Sequence, residues 1–168
     1  ESDLKQFPGS NIMGVRFIPA YRIPFYVRVW GKLNKAMPGL RRVWIPLPSI
    51  PNGIRKSLKD TAAGIMTGGD NLSLDYGILS LIKFMGQAES YTADGRPLFL
   101  WAASVGPFSA HPDLEQYVIR HLGVYAGISV RESTSRDYLE KLGVKNVKLV
   151  ADPAFVMMPE PWDTSTIL

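Results

Sequence analysis

Hydrophobic and polar positions change their period along this chain, and the change separates an irregular beginning from a regular remainder. Pro19, Pro24, Pro38, Pro46, Pro48 and Pro51 interrupt the first third. Each proline fixes φ and removes a backbone donor, so no long element is expected there. One amphipathic helix is predicted between them, over Tyr26 to Met37. Tyr26, Val29, Trp30, Leu33 and Met37 share one face, and Arg28, Lys32 and Lys35 share the other. The apolar face suits a helix packed on a core. The basic face, with Arg41 and Arg42 close by, suits peripheral contact with a membrane or a lipid-linked phosphate.

After Pro51 the pattern becomes an alternation. A short helix around Gly53 to Lys59 leads to a strand over Ala62 to Thr67 that stops at a Gly68-Gly69-Asp70 turn. A helix over Leu74 to Ala88 follows, then a strand over Pro97 to Ser104, whose consecutive Leu98, Phe99, Leu100 and Trp101 suit burial on both faces. Helix Pro112 to Leu122, strand Gly127 to Arg131, helix Ser133 to Leu142 and strand Val147 to Ala151 complete the series. His121 falls on an apolar helix face, where packing accounts for it. Such spacing favours an α/β fold: a Rossmann-like parallel sheet flanked by helices, with right-handed crossovers in a doubly wound arrangement. The expected organisation is an irregular basic segment over 1–50, the α/β domain over 51–158, and the start of a linker toward a second domain over 159–168.

Composition narrows the chemistry. At 168 residues, 46% hydrophobic and 20% charged, the chain is expected to fold as one ordinary domain, neither disordered nor disulfide-built. The absence of cysteine excludes disulfides, thiolate metal sites and cysteine nucleophiles, and fits a cytoplasmic setting. His111 and His121 are the only imidazoles, which argues against a structural zinc site. A net charge of +4 admits an anionic partner, but Lys and Arg are spread along the chain without RNA-binding aromatic signatures, which argues against nucleic acid. No apolar run reaches the roughly 18 residues that a membrane-spanning helix needs. The opening Glu1 to Ser10 lacks the features of a signal peptide and reads as a tag remnant or an internal start.

Ligands of parallel sheets bind beyond the carboxyl ends of the strands, so the candidate site lies in the turns found there. Gly68 and Gly69 would allow backbone amides to cradle a phosphate or carboxylate, while Asp70 would cap the next helix or face a sugar hydroxyl. In Ser104-Val105-Gly106-Pro107-Phe108 the Ser104 hydroxyl and the amides around Gly106 would face a ligand, and His111 is an acid/base candidate in the same loop. Arg131 closes an apolar strand, which sets its forked guanidinium at the cleft edge to hold a carboxylate or phosphate. Its other expected role is an ion pair with Glu132 or Asp152 that ties loops together. Ser133 or Thr134 is expected to cap the following helix, with Asp137 reaching back. The fingerprints GxGxxG, GxxxxGK[ST], GxSxG and HExxH are all absent, which argues against a P-loop, a typical NAD enzyme, a triad hydrolase and a zincin.

Four segments in order carry a resemblance. Gly68-Gly69-Asp70; Ser104 to Phe108; Ile128-Ser129-Val130-Arg131-Glu132 with Ser135 and Tyr138 to Val144; and Asp152-Pro153-Ala154-Phe155 together resemble the polysaccharide pyruvyl transferase family, over roughly residues 60 to 158. The resemblance implies the N-terminal half of a GT-B-type two-domain enzyme. It implies transfer of pyruvate from phosphoenolpyruvate, as a ketal, to a sugar of an exopolysaccharide or cell-wall glycan, free or lipid-linked, without metal, nucleotide or other cofactor. It matches Arg131 to an arginine that contacts phosphoenolpyruvate and places the other donor-binding basic residues in a second half. The sequence lacks the family's usual opening strand and stops soon after the first half, so it is expected to be a fragment or a reduced member. A nucleotide-sugar glycosyltransferase and a non-catalytic binding module derived from such an enzyme remain alternatives.

Overall fold

The computed structural model describes residues 22–157. The expectations for Glu1 to Ser10 and for the 159–168 linker lie outside them. Three helices come first: α1 (Phe25–Ala36), α2 (Leu40–Val43) and α3 (Asn52–Ser57). Strands and helices then alternate as β1 (Gly64–Leu72), α4 (Ile78–Thr92), β2 (Leu98–Val105), α5 (Pro112–Leu122), β3 (Gly127–Val130), α6 (Ser133–Lys141) and β4 (Val147–Leu149). A 3-10 turn over Pro153–Val156 ends the series. All strand pairs are parallel, in the order β1-β2-β3-β4. The parallel α/β sheet with flanking helices is therefore as expected.

The doubly wound arrangement is not what these four strands form. Every crossover steps in the same direction across the sheet, and right-handed connections then bring α4, α5 and α6 to one face. β2 registers the consequence directly. Leu98 and Leu100 are 5% and 2% exposed and join Leu81, Ile82, Met85, Leu114, Val118 and Leu139 in one core. Phe99 and Trp101, on the opposite face, are 39% and 47% exposed. The expected burial of both faces is thus corrected: among the described residues only one face is covered.

The edge strand β1 and its neighbour β2 are both irregular in register. In β2 the pairing to β3 shifts between Leu100 and Ala103, and the intervening Ala102 takes a φ of 50°. Ser129 fills the gap in the ladder: its Oγ accepts the Ala102 N–H at 3.1 Å and donates to the Leu100 carbonyl at 3.2 Å. Both backbone groups are thereby satisfied where water cannot reach them. In β1 the strand does not stop at a turn. Gly68, Gly69 and Asp70 continue it, with Gly69 at φ 79° and a register shift between Gly69 and Leu72. A glycine bulge explains what reads in sequence as a terminating Gly-Gly pair.

α1 corrects a second expectation. Val27, Trp30, Gly31 and Asn34 form its buried face, and the Trp30 Nε1 donates to the Trp44 carbonyl at 3.0 Å. A Cβ at position 31 would meet Leu79 Cδ2 at 2.7 Å, so the missing side chain lets α1 close on α4 along this side. Of the five apolar positions expected to face the core, only Trp30 does so. Tyr26, Val29, Leu33 and Met37 are exposed.

Candidate functional site

The carboxyl ends of all four strands meet at one guanidinium. Arg131 follows β3, and its Nε donates to Ser104 Oγ in β2 at 3.0 Å. Nη1 donates to Asp152 Oδ2, just beyond β4, at 2.8 Å, and Nη2 to Asp70 Oδ1, within the bulged end of β1, at 3.3 Å. Glu132 stands 3.5 Å from Nε and also accepts from Ser104 Oγ at 2.8 Å. Ser104 thus relays between cation and carboxylate. A guanidinium has five N–H donors, and these bonds spend three of them, leaving two among the described residues.

Charge on this cluster is lopsided. Partial desolvation opposes the charge on Arg131, but the Asp152 hydrogen bond and the fields of Asp152, Asp70 and Glu132 outweigh it and raise its pKa above the ordinary value. The Asp152 carboxyl is held below its ordinary value, first by the Ala154 N–H at 2.9 Å and, against some desolvation, by Arg131. One cation therefore sits among three carboxylates, an arrangement that does not by itself attract a second anion.

Beside the cluster is a recess of about 270 Å³ into which Asp70, Asp75, Ser104 and Glu132 project from the strand ends, with Thr134, Ser135 and Tyr138 from α6. Asp75 is fixed by Ser73, which donates to it at 2.7 Å and accepts its N–H at 3.1 Å. The floor is the Val105-Gly106-Pro107 segment. α6 holds that segment in place: Ser135 Oγ accepts the Val105 N–H at 3.1 Å, and the Tyr138 hydroxyl accepts the Phe108 N–H at 2.9 Å. Tyr138 also donates to Glu115. Burial and that Glu115 bond push its pKa up to about 12, so the phenol keeps its proton throughout the physiological range. Gly106 has φ 73°, and a Cβ there would lie 2.5 Å from Tyr138 Cε1, so only glycine fits. Carboxylates and hydroxyls around a small recess suit the hydroxyl groups of a polyol or sugar.

Arg131, Ser104, Asp70 and Gly106 are brought together as expected. Gly69 does not line the recess, and the Gly68-Gly69 pair lies inside β1 rather than at a helix start: α4 begins only at Ile78, after Gly77. Asp70 accordingly caps no helix and binds Arg131 instead. Ser133 is exposed and does not line the recess. The N-cap of α6 is Glu132, without a side-chain capping bond, and Asp137 pairs with Arg136 at 2.8 Å, so the expected capping box does not form. His111 also lies outside the recess. Arg41 Nη2 lies 3.2 Å from its Nδ1, and because a guanidinium only donates, Nδ1 is the acceptor in this contact. Arg41 Nε donates to Asp113 at 2.6 Å, which fixes His111 at the start of α5. His121 packs in the core, as expected, with Nδ1 2.9 Å from Glu89. Sequence reasoning missed Asp75, which the Ser73-Leu74-Asp75 spacing of a serine turn could have marked. It also missed the role of Tyr138 under the β2 turn, for which no local signal exists.

With this geometry in view, comparison with protein families is decisive. A family model described as polysaccharide pyruvyl transferase matches residues 17–166. The chain belongs to the polysaccharide pyruvyl transferase family. Membership makes it an enzyme of the pyruvyl transferase kind and supplies a glycan as acceptor partner, in keeping with the carboxylates and hydroxyls that line the recess. Neither a curated protein nor a solved structure matches the chain. Among the described residues no group of three or more His, Asp or Glu is placed to hold a metal ion, and no helix is long and apolar enough to cross a membrane.

Proposed function

We propose that the strand-end cluster is one wall of a site that transfers pyruvate from phosphoenolpyruvate to a sugar of an exopolysaccharide or cell-wall glycan, forming a ketal. The observation that carries this reading is the convergence of all four strand ends on Arg131, with two N–H groups unspent, beside a recess of carboxylates and hydroxyls. The two N–H groups take the carboxylate or phosphate of the donor. Asp70, Asp75 and Glu132 accept hydrogen bonds from the acceptor hydroxyls. Because these carboxylates outnumber Arg131, the remaining donor charge is met by cations outside this cluster.

Protonation of the methylene carbon of phosphoenolpyruvate leaves an oxocarbenium-like centre at the adjacent carbon. One sugar hydroxyl adds there and gives up its proton, inorganic phosphate leaves with the C–O bonding pair, and a second hydroxyl closes the ketal with loss of its proton. A preorganised cation beside the donor is typically worth about 3 kcal/mol in such a step, or roughly 100-fold in rate. The test is phosphate release from phosphoenolpyruvate by the full-length protein over a panel of glycans. Release that requires a glycan and falls at least about 100-fold in Arg131→Ala supports the reading. No acceptor-dependent release, or turnover of a nucleotide sugar in its place, overturns it.

A further inference from the structure

Lys and Arg are spread along the whole chain, but the acids are not. Between residues 22 and 59 there are nine Lys or Arg and no Asp or Glu, whereas residues 60 to 157 hold eight basic and eleven acidic residues. The basic segment is also where the structure leaves large apolar side chains in the open. On α1, Phe25, Val29, Leu33 and Met37 follow one another at four-residue steps and are 73%, 37%, 50% and 64% exposed. Tyr26, 49% exposed, widens the stripe. Val43 and Trp44, 84% and 55% exposed, stand on the segment that Trp30 ties to α1. These side chains keep 37% to 84% of their surface in the open, although the opposite side of the same helix is buried.

Helical spacing places Arg28, Lys32 and Lys35, all exposed, as one flank of this stripe. An exposed apolar band with a cationic flank, and no acid anywhere in the segment, is complementary to an anionic bilayer: the band enters the acyl boundary while the flank meets the phosphates. We propose that α1, with the Val43–Trp44 corner, is a membrane-surface anchor that seats the protein on anionic lipid. This surface is separate from the strand-end recess, and its test needs no transferase activity.

The experiment is co-sedimentation of the full-length chain with phosphatidylcholine vesicles, with and without phosphatidylglycerol. Binding should be at least about tenfold stronger with phosphatidylglycerol and weaken as salt is raised. Val29→Ser with Leu33→Ser should abolish it while leaving the melting temperature unchanged, and Lys32→Gln with Lys35→Gln should reduce it about tenfold. Failure of the wild-type chain to bind phosphatidylglycerol vesicles, or undiminished binding by the serine pair, overturns the proposal. So does a concentration-dependent dimer that the serine pair dissolves, since a second copy of the chain would then be the occupant.

Discussion

The basic layer of α1 to α3 and the carboxyl edge of the sheet treat polar groups in opposite ways. At the sheet edge nearly every polar side chain is spent on another: Arg131 on three partners, Ser104 on two, Tyr138 on two. On α1 the charges stand in water and the apolar groups stand beside them. The contrast shows where this chain is built to fixed geometry and where it presents a surface. A network in which most donors serve a neighbour holds its shape before a substrate arrives. A helix with an uncovered apolar stripe has little to hold and much to offer a partner.

Substitutions can break that comparison, and the largest effect lies under the sheet edge. Phe108→Ala, at a fully buried side chain, should cost about 3–5 kcal/mol in urea denaturation, whereas Leu33→Ala on the exposed stripe should stay within about 0.5 kcal/mol. Equal losses would contradict the division into fixed edge and free surface. Next comes Gly106→Ala, which meets both the positive φ and the Tyr138 ring. A loss of about 2–3 kcal/mol is expected, and its partial relief by Tyr138→Ala in a double-mutant cycle would place the strain in that contact. Ser129→Ala should cost about 1–3 kcal/mol by orphaning the Ala102 N–H and the Leu100 carbonyl inside the sheet.

The smallest effect is one of pH. Asp152 has a folded pKa below its ordinary 3.8, so its tie to Arg131 is fully present above that value and fades as pH falls through the depressed one. Stability measured between about pH 5 and 2 should fall less steeply in Asp152→Asn than in the wild-type chain. Parallel curves would remove Asp152 from the network.

Much of the fold was legible in the sequence because parallel α/β architecture is written in the order of elements, which survives errors at their ends. α5 begins and ends where its Pro112 start and Leu122 end suggested, and acidic Asp113 and Glu115 with basic Arg120 and His121 suit its dipole. The errors share a cause. Leu98 to Trp101 and the Tyr26 to Met37 stripe are apolar, but apolarity does not say what packs against it. Only the one-directional strand order and the side-chain-free approach at Gly31 decide which face is covered. Gly68-Gly69 reads as a turn because glycine permits one, yet the same freedom serves a bulge inside a strand. Of the site, Arg131, Ser104 and Asp70 were visible because strand ends converge by construction. Tyr138 and Ser135 reach back from a helix to hold a turn about 30 residues earlier, a relation that no local pattern carries.

What Arg131 holds decides the proposed function. Calorimetric titration of the full-length protein with phosphoenolpyruvate tests this most directly, with Arg131→Lys as the variant that keeps the charge but loses the fork. Saturable binding by the wild-type chain is expected, with at least about tenfold weaker binding by Arg131→Lys at an unchanged melting temperature. Equal affinity in the two proteins, or no binding by the wild-type chain, would contradict it.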